Sequence, residues 1–228
     1  MNNRAEELEK LTAQWKKKRP NYIPFCEDGI LDIEAWDAAS TKIMFLLKET
    51  YNHFVTIKGP MGPQGTRTTF WRPMRMWTHI IETHFQGSVA SFDEVKDIKE
   101  EPNVKIAYVN IKKFAEKSEY NNEANSSYSD IDNYALQDSD LLSKQISFIN
   151  PDVIVCCGTF GHTRHFLPNC EKLASQVFQS GRTYLLDFGH LSQRNAYKNN
   201  YDELVEILKA IKINVYPTLQ RTPLSLRR

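Results

Sequence analysis

Four short apolar runs constrain the fold of this chain more than any other feature: KIMFLLKE at 42–49, KIAYVNIKK at 105–113, DVIVCCG at 152–158 and RTYLLDFGH at 182–190. Each has the length of a strand. Each is apolar almost throughout, without the alternation of a sheet that is wet on one face, and each is separated from the next by enough chain for a crossover. Strands of this kind belong to a parallel sheet covered on both sides. The intervening segments supply the cover. Residues 71–85 (WRPMRMWTHIIETHF) repeat Trp77, Ile80, Ile81 and Phe85 at helical spacing, and 138–149 (DSDLLSKQISFI) open on acidic cap residues and repeat Leu142, Ile146 and Ile149. Residues 201–211 (YDELVEILKAI) carry Leu204, Ile207, Leu208 and Ile211 on one face. The expected architecture is α/β, a three-layer α/β/α sandwich on a central four-stranded, mainly parallel sheet.

At 228 residues the chain is expected to be one domain over 1–228, with a helical extension over 1–40 and a basic tail over 213–228. Its 29 Lys+Arg nearly cancel its 28 Asp+Glu, so an anionic partner has to be held by a local patch and not by the field of the whole protein. Cys26, Cys156, Cys157 and Cys170 contain no C-x-x-C pair, and two of them are adjacent in an apolar run, where they read as small core residues. Neighbouring cysteines on a strand point to opposite faces, which suits neither a metal nor an iron–sulfur cluster. The opening MNNRAEELEKLTAQWKKKR is charged throughout and reads as an amphipathic helix, neither a signal peptide nor a membrane span. A cytoplasmic monomer without cofactor or metal is the expectation.

In open α/β sheets, ligands bind beyond the carboxyl ends of the strands, where the strand order reverses. Polar residues gather at those ends: Lys48-Glu49-Thr50-Tyr51, Asn110, Gly158-Thr159 and His190-Leu191-Ser192. The polar stretch 116–134 (EKSEYNNEANSSYSDIDNY) has no hydrophobic period and reads as a long exposed loop, as does 57–70 (IKGPMGPQGTRTTF) with its glycines and prolines. His162 and His165 stand at i, i+3 spacing in GTFGHTRHF. A metal site would need a further ligand nearby in sequence, and a helix face against the sheet is the simpler reading.

In order and spacing, LKETYN at 47–52, YVNIKK at 108–113 and GHLSQR at 189–194, with LLSKQISFINPDVIVCCGTFG at 141–161, resemble the uracil-DNA glycosylase superfamily over about residues 40–210. The first motif looks like the strand that delivers a water-positioning residue, which the resemblance assigns to Glu49, with Tyr51 shaping the pocket. The second resembles the strand whose asparagine reads the extruded base, here Asn110. The third is similar to the motif that supplies a catalytic histidine and a groove-entering loop, here His190 and Ser192. The chain departs from the pattern with Leu47 and Thr50 in the first motif and Leu191 in the last, and no cluster-ligating cysteines correspond.

The chemistry follows from the residue types. Breaking an N-glycosidic bond places positive charge on the sugar and negative charge on the base, so a carboxylate suits one side and a neutral histidine donor the other. Asn110 offers both a donor and an acceptor to a pyrimidine edge. Phe70 or Trp71 could stack on the flipped base, although large aromatics more often anchor a core. Arg67, Arg72, Thr159, Ser192 and Arg194 are candidate phosphate contacts that help offset the cost of base flipping. The expected activity is a DNA glycosylase, acting on uracil or on a bulky modified cytosine of phage DNA in antiviral defence. A catalytically silent nucleic-acid-binding protein on the same fold is the alternative, and an α/β hydrolase of small nucleosides a third.

Overall fold

The computed structural model describes residues 3–18, 25–49, 68–98, 105–114, 127–189, 191 and 197–211. Seven strands form one mixed sheet: β1 (Gly29–Ile30), β2 (Ile43–Leu47), β3 (Ile106–Asn110), β4 (Val153–Cys157), β5 (Glu171–Lys172), β6 (Val177–Ser180) and β7 (Thr183–Phe188), in the order β1-β3-β2-β4-β7-β6-β5. The four apolar runs are β2, β3, β4 and β7, and they pair in parallel in the spatial order β3-β2-β4-β7. The expectation of four strands falls short. β1 adds antiparallel to β3, and β6 and then β5 add antiparallel beyond β7.

Every residue of β2, β3 and β4 is buried, which explains their unbroken apolar character. Alternate side chains enter two separate cores. Ile43, Phe45 and Leu47 of β2 join Tyr108, Val155 and Leu186 on one face, under α3 (Thr68–Phe85) and α7 (Tyr197–Lys209), which contribute Trp77, Ile80, Leu204 and Leu208. Trp77 packs edge-on against Phe188, with ring centroids 4.5 Å apart. On the other face Met44, Leu46, Val109 and Cys156 meet α1 (Asn3–Lys18), α5 (Tyr128–Gln137) and α6 (Ser139–Ile149) through Trp15, Ile131, Leu142 and Ile146. Among the described residues two short helices, α2 (Ile33–Ala38) and α4 (Phe92–Val95), and a 3₁₀ turn over Phe160–His165 are also formed.

Two turns fix the two ends of β4. Asn150 takes the left-handed conformation at φ 55° and ends α6, and Pro151 prevents the helix from continuing into β4. Gly158, at φ 68°, turns the chain out of β4 while its N–H donates to the carbonyl of Phe188 at 2.7 Å, tying the ends of β4 and β7 together.

The stretch 116–134 is not wholly a loop, because Tyr128–Gln137 is helical. Its start is a capping box in which the Ser127 hydroxyl accepts from the Asp130 N–H and the Asp130 carboxylate accepts from the Ser127 N–H, with Ile131 and Ala135 buried one turn apart. Ser127→Ala is expected to destabilise the fold by about 1 kcal/mol, read as a lowered urea midpoint at unchanged slope.

Candidate functional site

β2 and β4 lie side by side, yet the chain leaves β2 for β3 on one flank and leaves β4 for β7 on the other. The reversal opens a cleft position at their carboxyl ends. Thr159 follows β4 by two residues, and its buried hydroxyl donates to the carbonyl of Leu46 at 2.9 Å, linking the end of β4 to β2.

Pairing between β2 and β3 continues past the strands, because Ile111 N–H donates to Leu47 O and Lys112 N–H to Lys48 O, each at 2.9 Å. This extension brings Glu49 and Lys112 together. The Lys112 ammonium lies 3.1 Å from the Glu49 carboxylate and 5.2 Å from the centre of the Tyr134 ring, and the two charged side chains are 1% and 6% exposed. A buried ion pair of this kind contributes little net stability, since desolvation offsets the attraction.

Asn110, the last residue of β3, stands opposite Leu47 and is buried. Its amide N–H donates to Asp28 at 2.6 Å, and its Nδ2 donates to the same oxygen at 3.2 Å and reaches Cys26 Sγ at 3.8 Å. Asp28 is the hub of a larger buried network. It also receives Lys113 Nζ at 2.8 Å and Gln145 Nε2 at 2.8 Å, while Gln145 Oε1 accepts from Lys113 at 2.8 Å. The Lys113 ammonium sits 4.7 Å over the Trp15 ring, and burial pulls its pKa below the ordinary lysine value against the opposing pull of Asp28.

A third polar group surrounds Asp132 of α5. One carboxylate oxygen meets His162 Nδ1 at 2.9 Å and His165 Nε2 at 3.1 Å, and the other accepts from Arg164 at 2.6 Å. The carboxylate that meets these histidines comes from some 30 residues upstream in sequence, beyond the neighbourhood that their spacing covers. The helix-face reading of His162 and His165 holds in modified form: both lie in the 3₁₀ turn after β4, and His162 is fully buried beneath the Tyr128 ring, with centroids 4.2 Å apart. Among the described residues no group of three or more His, Cys, Asp or Glu side chains is arranged so that it could hold a metal ion.

Other expected residues are placed elsewhere. Trp71 is buried in the α3 core, edge-on to Tyr108 at 6.0 Å. Arg72 donates to the carbonyl of Lys96 and lies 4.0 Å from Asp97. Tyr51, Arg67, His190, Ser192 and Arg194 lie outside the described residues, as does the side chain of Phe70. Cys156 and Cys157 are fully buried, and burial pushes both thiols far above the ordinary range, which makes them inert core residues. None of the described helices is long and apolar enough to cross a membrane.

The structure therefore brings Glu49, Asn110 and Thr159 to the ends of three adjacent parallel strands. Sequence reasoning missed Asp28, Lys112, Asp132 and His162 as partners in the site. A lysine pair in an apolar run, Lys112-Lys113 after YVNI, is the signal for the two buried ion pairs with Glu49 and Asp28, since lysines are almost never fully buried without counterions. No family model and no curated protein matches the chain.

Proposed function

We propose that the protein is a monofunctional DNA glycosylase that extrudes a modified or damaged pyrimidine nucleotide and hydrolyses its N-glycosidic bond, working as a cytoplasmic monomer without a cofactor. The observation that carries the reading is the buried Glu49 carboxylate, held by Lys112 at the carboxyl edge where the strand order reverses, with Asn110 on the neighbouring strand end. The order of the parallel strands supports it further, since the β2 and β4 ends converge at the centre of the sheet. A carboxylate fixed there faces the positive charge that develops on the sugar as the base departs. His190 follows β7 by two residues in sequence and is assigned the donor role toward the base carbonyl.

Uracil is the first substrate to test, and a bulky modified cytosine of phage DNA the second. Duplexes that each carry one modified base, and DNA extracted from phages with modified cytosines, are incubated with the protein and then treated with alkali. Strand breaks confined to one modified base are the expected result. A gel-retarded complex without breaks on any duplex would favour the second reading, a silent nucleic-acid-binding protein. The engagement of the Asn110 amide by Asp28 is the observation on that side.

A further inference from the structure

Tyr128 is 57% exposed at the start of α5, yet its ring is fixed from several sides. Beneath it lies the fully buried His162 ring, with centroids 4.2 Å apart and planes inclined by 33°. Its hydroxyl accepts from Arg164 Nη1 at 3.3 Å, and the same guanidinium donates to Asp132 at 2.6 Å and to the carbonyl of Gly161. The capping box of Ser127 and Asp130 sets the backbone on either side of it. Gly161 leaves room for the ring, since a Cβ at that position would come within 2.5 Å of the Tyr128 hydroxyl oxygen. A solvent-facing ring that is already ordered has little rotamer entropy left to lose when something binds it.

The 3₁₀ turn beneath Tyr128 begins at Phe160, directly after Thr159 at the end of β4, on the edge where the strand order reverses. Six residues further along α5, the Tyr134 ring lies 5.2 Å from the Lys112 ammonium that pairs with Glu49. Six residues of helix rise about 9 Å, and a stacked strand advances about 3.4 Å per nucleotide, so the two tyrosines stand about two to three base steps apart. The charges around Tyr128 suit a polyanion. Arg164, whose side chain is 54% exposed, and Lys48 both act on the His162 ring as positive charges. The nearby carboxylates are engaged, Asp132 by His162, His165 and Arg164, and Asp130 by Ser127. Burial holds His162 below the ordinary histidine pKa, so the ring under Tyr128 is uncharged at pH 7. An exposed π face flanked by cations is what single-stranded nucleic acid binds, its bases stacking on the ring and its phosphates meeting the positive groups.

We propose that Tyr128 is a stacking platform for an unpaired base of a DNA strand, about two to three nucleotides from the one placed at Glu49, with Arg164 and Gly161 positioning its ring. The placement relative to Glu49 rests on the glycosylase reading, whereas the stacking rests on the Tyr128 surface alone. Extruding a nucleotide costs stacking energy. A ring that takes up a neighbouring base offsets part of that cost and holds the strand in register.

The test separates affinity from stacking. Affinity for a dye-labelled single-stranded deoxyoligonucleotide is measured by fluorescence anisotropy. Contact is read from a fluorescent adenine analogue, quenched on stacking, placed at successive positions of the strand. Tyr128→Leu keeps an apolar side chain over His162 and removes the π face. It is expected to weaken binding about 5- to 150-fold, the loss of one base–aromatic stack, and to abolish quenching at the contacted position. Tyr128→Phe is expected to retain most of both. Gly161→Ala displaces the hydroxyl and is expected to weaken binding and quenching. Gly161→Ala/Tyr128→Phe should recover them, because without the hydroxyl the nearest ring carbon stands 3.5 Å from the new methyl, an ordinary contact. Thermal melting checks that each variant is folded.

Wild-type affinity and quenching in a folded Tyr128→Leu would overturn the platform and leave the glycosylase reading intact. A Gly161→Ala loss that Tyr128→Phe does not restore would overturn the positioning role of Gly161. If quenching depends on Tyr128 but no duplex with a modified base is cleaved, the platform stands and the hydrolytic reading fails. A wild-type protein that binds neither single strand nor duplex overturns both.

Discussion

Glu49→Gln is expected to slow base release by about 10²–10³-fold in single turnover, the loss found when one preorganised electrostatic contact to a transition state is removed. The same substitution breaks the buried ion pair with Lys112, whose side chain is 1% exposed, and breaking such a pair destabilises a protein by about 3–5 kcal/mol. Rate and stability therefore fall together in the single variant, and a structural role for Glu49 would predict the same pair of effects. The double variant Glu49→Gln/Lys112→Met separates them. Replacing both members of a buried pair by groups of similar volume removes the buried charge, so melting is expected to recover most of the loss. The rate is not, because no carboxylate remains opposite the sugar. Recovery of base release along with stability would assign Glu49 to the fold and leave the reaction without its anion.

Much of this fold is legible in the sequence because burial on both faces writes an unmistakable signal. KIMFLLKE, KIAYVNIKK, DVIVCCG and RTYLLDFGH are strands for the reason that nothing but a doubly covered parallel sheet hides so many consecutive apolar residues. The added edge strands carry no such mark. β5 is two exposed residues, Glu171 and Lys172, and β1 is Gly29–Ile30, so their pairing is set by neighbours and not by local pattern. Helix α5 is hidden for a related reason: only Ile131 and Ala135 face inward, and its best local signal is the Ser127/Asp130 box inside a polar run.

The candidate site divides in the same way. Glu49, Asn110 and Thr159 are visible because strand ends are where open sheets bind. Their partners come from afar, since Asp132 is some 30 residues from His162 and Asp28 is 85 from Lys113, distances over which no spacing rule operates. Only the fold brings such pairs together, and the sign that it must do so is the chemical cost of burying Lys112, Lys113 and His162 unpaired.

That cost makes Asp28 the most sensitive position for stability. Its carboxylate accepts from the Asn110 N–H and Nδ2, from Lys113 and from Gln145, and its side chain and that of Lys113 are each 1% exposed. Asp28→Ala removes the carboxylate paired with the buried Lys113 ammonium, which keeps its hydrogen bond to Gln145 Oε1, and takes the shared acceptor from the Asn110 and Gln145 donors, so it is expected to cost about 3–5 kcal/mol in urea unfolding. Lys113→Met on that background restores part of the loss, because it removes the buried charge.

The pH dependence carries the sign of the Lys113 shift. With the folded pKa below the unfolded one, the unfolded chain binds more protons between those two values, so the Lys113 contribution makes stability rise with pH across that window, just below the ordinary lysine value. Above the unfolded pKa the contribution is constant. Lys113→Met should flatten this part of the profile, and a slope unchanged by the substitution would show that the ammonium is as well solvated in the folded chain as in the unfolded one. Because Asp28 also orients the Asn110 amide, its loss reaches the site as well as the fold. An Asp28→Asn variant that retains most of its stability yet loses discrimination between pyrimidines would link the buried network to base recognition, through the one side chain they share.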